Sequence, residues 1–159
     1  MKALSLTLLA ALASLNLMIS PAWAETSAED FFQQGQIFAG QKSYAKAQDA
    51  YLQALAVDPK FEKAYISLAL IYSLKKEYPK ALVQLDTVLK INPKATMPHK
   101  VKGLIFRDQG KFTEAIASLQ TYLKAVPPEQ LKEKDRADVE ALIAKLEKEK
   151  SALPAQGGQ

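Results

Sequence analysis

Prolines 59, 93 and 127 stand 34 residues apart. The same step relates Ala47, Ala81 and Ala115, and also Phe38, Tyr72 and Phe106. Tyr44, Tyr78 and Phe112 keep it, as do Tyr51, Leu85 and Leu119, and Gly35, Ala69 and Gly103. Phe31 and Tyr65 head a further column, whose third member is His99. A period of this length exceeds any single turn of structure. It marks a supersecondary unit that must stack on copies of itself to bury its apolar face.

Within each unit the apolar positions recur at helical spacing in two runs. In the first unit these run from about Glu29 to Gln41 and from Tyr44 to Val57. Phe31, Gly35 and Phe38 lie at i, i+4 and i+7, one face of a helix. Tyr44, Ala47, Tyr51 and Ala54 do the same on the second run. The small residues let two helices approach, and the aromatics fill the space beside them. Asp58-Pro59 and Asn92-Pro93 end the second helices, because proline disfavours a helical residue before it and lacks a backbone donor. Pro79 and Pro98 fall in the first turn of a helix, where proline is tolerated.

This pattern resembles the tetratricopeptide repeat family, whose unit is a 34-residue helix-turn-helix. Three units, 28–61, 62–95 and 96–129, carry the resemblance. It implies an all-α fold, an α-solenoid of three helix-turn-helix repeats. Two departures stand in the third unit: His99 replaces an aromatic, and Tyr122 replaces a small residue. After Pro127-Pro128 the register stops. Val139, Leu142, Ile143 and Leu146 then form an apolar stripe opposite Lys and Glu, which predicts a capping helix over 130–150. Lys132–Arg136 read as its first turns or as a connecting loop. Residues 151–159, with Pro154, Gly157 and Gly158, read as a disordered tail.

The chain begins differently. Residues 1–24 carry one charge, Lys2, and an apolar run from Ala3 to Ile19. Pro21 follows, then Ala22-Trp23-Ala24 in a small-x-small arrangement. This is the layout of a secretory signal peptide cut after Ala24. The competing reading is a retained anchor, for which the apolar run is short. A chain that is exported and cleaved has no integral membrane span, and the periplasm of a bacterial envelope is the expected compartment.

Composition removes several functions. There is no cysteine, hence no disulfide, thiolate metal site or cysteine nucleophile. The net charge of +4 is spread along the chain and does not argue for nucleic acid. His99 is the only histidine, so no second imidazole completes a metal site. It sits in an aromatic column and is expected as a packed ring. No glycine-rich phosphate loop occurs, and no acid pair lies among apolar residues. Neither an enzyme nor a cofactor is expected.

The resemblance implies that the first helices line a concave groove. With Phe31, Gly35 and Phe38 committed to the core, the columns one residue further on face inward. They are Phe32, Gln36 and Ala39, then Ile66, Leu70 and Ser73, then Lys100, Leu104 and Arg107, with Glu29, Lys63 and Met97 earlier in each helix. The groove centre is thus expected to be apolar (Phe32, Ile66, Leu70, Leu104) and its edge basic (Lys63, Lys100, Arg107). Such a strip fits an amphipathic helix or extended peptide with apolar anchors and some acidic character. The alternative is that these side chains pack on one another or on the chain's own ends. Some family members hold acidic chaperone tails with a Lys/Asn/Arg clamp. The matching positions here are Phe32, Gln36, Ser67, Met97 and Val101, none of them charged.

Two functions follow. One is an exported adaptor or scaffold binding a protein or peptide partner in the groove. The other is a structural or self-associating subunit, in a homo-oligomer or cell-envelope complex, using its convex face or its last helix.

Overall fold

The computed structural model describes residues 26–152, and the leader expected at 1–24 lies outside them. Among the described residues all regular structure is helical. The chain forms α1 (Ala28–Gly40), α2 (Tyr44–Val57), α3 (Glu62–Leu74), α4 (Tyr78–Ile91), α5 (Met97–Asp108) and α6 (Phe112–Ala125). A single 3₁₀ turn (Pro128–Gln130) leads into α7 (Glu133–Ala152).

Local chemistry sets the helix ends. Ser27 caps α1: its hydroxyl accepts from the Asp30 amide at 3.1 Å, and the Asp30 carboxylate accepts from the Ser27 amide at 2.9 Å. The Ser27 hydroxyl also donates to that carboxylate at 2.7 Å, and this bond first, then the one from the Ser27 amide, holds the Asp30 carboxyl below its usual range. The second helices, α2, α4 and α6, begin without a side-chain cap. Their entry is shaped by one left-handed residue before each: Lys42 at φ 58°, Lys76 at φ 60° and Gly110 at φ 72°. These three also keep the 34-residue step. Each such turn ties the next residue back to the preceding helix, as Ser43 N–H donates to Phe38 at 2.9 Å and Lys111 N–H to Phe106 at 2.9 Å.

Close approach explains the small columns. A methyl group on Gly35 would meet the Tyr51 ring at 2.4 Å, and one on Gly103 would meet Leu119 at 2.6 Å. The second unit places Ala69 opposite Leu85, and both are fully buried.

Stacking is carried by the next unit's first helix. Ala64, Leu68 and Ile71 of α3 are buried with Ala47, Tyr51 and Ala54 of α2. Val101 and Ile105 of α5 join Ala81 and Leu85 of α4. Val139 and Leu146 of α7 join Ala115, Leu119 and Tyr122 of α6. The helix α7 therefore takes the position that a fourth first helix would occupy. Its course corrects the expected 130–150. Residues 128–130 are a 3₁₀ turn, Lys132 is connector, and Glu133–Arg136 are first turns. Ser151 and Ala152, expected in the tail, are helical, while 153–159 lie outside the described residues.

The column Ile37, Ile71, Ile105 is 61%, 3% and 1% exposed, because among the described residues only the latter two have a preceding unit to pack on. Beside Ile37, Asp30 and Gln34 stand exposed where Ala64 and Leu68 are buried.

Candidate functional site: the inner face of the first helices

The first helices lie side by side: α3 touches α5 directly, and Lys63 of α3 pairs with Glu29 of α1 at 3.4 Å. Those two residues are one period apart. The residues expected on this face differ in exposure. Leu70 is 44% exposed and Met97 equally open, whereas Ile66 and Leu104 are half-buried. Gln36 is exposed, and Ser73 is half-buried.

Phe32 is corrected. Expected in the groove, it is 6% exposed, its ring 5.5 Å from the Tyr51 ring and edge-on to Phe61 at 5.3 Å. Phe31, expected to be fully committed to the core, is the half-buried one. The reason is Phe61, the last residue of the first unit, just ahead of α3. Its ring packs edge-on against Phe32, a contact that one helix's periodicity does not carry. Val101, likewise considered as a groove position, is buried against the preceding unit.

The basic edge is corrected as well. Lys63 is engaged by Glu29, and its ammonium lies 5.8 Å from the Phe32 ring centre. Lys100 is half-buried with its ammonium 5.5 Å over the Tyr122 ring. The Arg107 guanidinium donates to Asp108 at 2.8 and 2.9 Å. Lys63 and Arg107 are ion-paired within the chain, and Lys100 keeps its charge over the Tyr122 ring, so the edge is less basic than the columns predict.

Two hollows flank the line from Ile66 to Leu70, which are one helical turn apart. The first, of about 300 Å³, is walled by Ala39, Tyr44, Tyr51 and Ser67, with Leu70 and Leu74 at its rim. No charged side chain lines it. Burial pushes the Tyr51 phenol upward, against a hydrogen bond with Ser67. The second, of about 610 Å³, lies between the starts of α3 and α5 and the end of α6. Ile66, Met97, Pro93 and Pro127 supply its apolar surface, with Glu62, Lys63 and Lys94 at the margin. His99 also borders it, and burial, then the charge of Lys102, keeps its imidazole below the usual range.

Leu74, 63% exposed, and Lys94 escaped the sequence reading. Leu74 lies one turn beyond Leu70, and continuing the inward stripe by four residues would have found it. Lys94 lies in the loop after Pro93, where helical periodicity has no reach. Among the described residues no three His, Asp or Glu side chains converge on a possible metal position. No helix among them is long and apolar enough to cross a membrane.

Paired helices with a small-residue seam and layered cores make this the helix-turn-helix solenoid of tetratricopeptide repeat domains. A family model described as tetratricopeptide repeat matches residues 38–105, from the end of α1 into α5. Solved structures share the fold. The first tetratricopeptide domain of Spaghetti (RPAP3), bound to the HSP90 peptide SRMEEVD, is 17% identical with a TM-score of 0.68, covering 80% of this chain and 95% of that one. The TPR2B domain of yeast Sti1, in a pHsp70 complex, is 15% identical with a TM-score of 0.69, covering 77% and 97%. MamA is 26% identical with a TM-score of 0.57, and the match spans 63% of this chain and 58% of MamA. No curated protein matches the sequence significantly. The family model and these neighbours together support the tetratricopeptide repeat family.

Proposed function

We propose that this protein is an interaction module, an adaptor or scaffold that holds a peptide or helix of a partner protein against the inner face of α1, α3 and α5. The observation that carries this reading is the uncovered Leu70–Leu74 pair beside an apolar hollow, in a chain whose other first-helix apolar residues are mostly packed. Two neighbours of the same fold, the Spaghetti (RPAP3) domain and the TPR2B domain of Sti1, are an HSP90-peptide complex and a pHsp70 complex, which supports the class of function. The chemistry on the inner face is scaffold chemistry, with no converging acid, base and nucleophile.

The apolar start of the chain and its Ala22-Trp23-Ala24 ending support export, cleavage after Ala24 and work in the periplasm. Intact-mass measurement of the secreted chain tests this, and a product retaining Met1–Ala24 would overturn it.

Leu70→Glu tests the groove. Capture of partners from the envelope fraction is expected to fall at least tenfold, with helical content and melting temperature nearly unchanged, since Leu70 is already solvent-exposed. A variant that unfolds would show Leu70 to be core and the groove reading wrong. The last helix is a poor candidate for self-association through Leu146, which is buried within the chain. Leu142, half-buried, packs on the same cluster.

A further inference from the structure

The two hollows along α3 differ in chemistry, and the difference gives the groove a direction. The hollow at Tyr51 and Leu70 has no charged side chain in its wall. The hollow at Ile66 and Met97 has three at its margin, and two of them are already engaged. The Glu62 carboxylate accepts from the Asn92 amide at 3.4 Å, and Lys63 pairs with Glu29. Lys94 makes no ion pair among the described residues, where Arg107, Lys102 and Lys63 all do. Its position is also defined: the Lys94 amide donates to the Asn92 side chain at 3.1 Å, a turn that pins the loop beside the hollow.

We infer that the inner face takes a partner segment bearing an apolar anchor, seated at Tyr51–Leu70, and one carboxylate set toward Lys94 beyond Ile66. This rests on the groove reading above and adds the partner's chemistry and orientation to it. Of the two ammonium groups at the margin of the second hollow only that of Lys94 has no ion pair among the described residues, and the first hollow has none in its wall, so the pair of hollows is complementary to one acidic group in one place, not to a generally acidic ligand. An apolar anchor supplies most of the affinity, and the ion pair at the rim selects register and direction. The recognition differs from a clamp of several cations on a terminal carboxylate, since Lys63 and Arg107 are ion-paired within the chain and Lys100 lies over the Tyr122 ring.

The test uses the full chain, immobilised, against a phage-displayed random dodecapeptide library. Selected peptides are expected to share an aromatic or branched apolar residue and an Asp or Glu at a constant offset from it. Their affinity should fall more than roughly tenfold on Leu70→Glu. Against Lys94→Glu, the same selection should return Lys or Arg at that offset, with the apolar anchor kept. Both substitutions are at exposed positions, and circular dichroism confirms that the variants fold. If the selected peptides bind Leu70→Glu as well as the parent, or if nothing is enriched, the groove reading itself fails. If they lose binding to Leu70→Glu but the charge preference survives Lys94→Glu unchanged, the groove stands and the inferred partner chemistry is wrong. A concentration-dependent dimer abolished by Leu70→Glu would make a second copy the occupant and overturn the inference. Peptide affinity rising tenfold on removal of residues 153–159 would make the chain's own end the occupant, with the same consequence.

Discussion

At the scale of single residues, the turns and the one histidine hold the clearest consequences. Lys42, Lys76 and Gly110 share a left-handed conformation, but only the third has no β-carbon to strain. An L-residue there costs about 1 kcal/mol relative to glycine. Gly110→Ala is therefore expected to destabilise the fold by about 1 kcal/mol, with nothing near the new methyl to clash. Lys76→Gly is expected to stabilise it by about 0.5 kcal/mol, glycine's looser unfolded chain offsetting part of the gain. Urea denaturation of the two variants checks the opposite signs. His99 concerns pH. Its folded pKa is held below 6.5 by burial and by Lys102, so the unfolded chain binds the proton more readily. Stability is present above about pH 6.5 and is lost as pH falls through that value. Phenylalanine in this column matches Phe31 of the first unit. His99→Phe is expected to remove the slope of melting temperature between about pH 7 and 5. Asp30 and Glu77, whose folded values are also lowered, lose their contribution only further down, through the carboxylate range.

At the scale of helices, what matters is which face each buries and how closely it approaches its partner. The contact of α1 with α2 requires Gly35, because the Tyr51 ring occupies the space of a β-carbon. Tyr51 cannot withdraw, being locked between Phe32 and the α3 face. Gly35→Ala is expected to cost about 1–3 kcal/mol, the penalty of overpacking a filled seam. The helix propensity it gains, about 1 kcal/mol, offsets only part of that. The midpoint of chemical denaturation reads the balance. Ala69 fills the same column in the second unit opposite Leu85, yet a methyl on Gly103 would meet Leu119 at 2.6 Å in the third, so the penalty follows the spacing of each helix pair and not the column or the partner's residue type. In the third unit Tyr122 takes the position held by Ala54 and Val88. It fits because α7, a helix outside the repeat, lies across it, and Lys100 covers its ring.

At the scale of the whole molecule, the core is three small clusters in a row, each closed by the first helix of the next unit. Stability is then a sum of unit and interface contributions, and the ends are the weak points. Removing α7 by truncation after Gln130 strips Val139 and Leu146 from Ala115 and Leu119. It is expected to lower the melting temperature and to lose amide protection in α5 and α6 first. Amide exchange should leave α3 protected longest, since it is packed from both sides. Uniform loss of protection along the chain would show instead that the three clusters melt as one unit.

The all-helical class and the helix-turn-helix plan were legible in the sequence. They rest on a local code: spacing of apolar residues, small columns where helices touch, and Asp-Pro or Asn-Pro at the breaks. Each of these acts within about a dozen residues and repeats three times, so the signal reinforces itself. Other features come from contacts that periodicity does not carry. Phe32 turns inward because Phe61 meets it, and of the three expected groove cations Lys63 pairs with Glu29 of another unit, Arg107 with its neighbour Asp108, and Lys100 lies over a ring. Glu29 meets Lys63 across a full period, and Tyr122 meets Lys100 across two helices. The helix α7 ends the array because it occupies the place of a fourth first helix, with a stripe of the same spacing on a sequence outside the repeat. Periodicity thus identifies the faces a helix owns. Which face stays open is decided by what the neighbouring layer covers, and on the inner side of α3 that leaves Leu70, Leu74 and the nearby ammonium of Lys94.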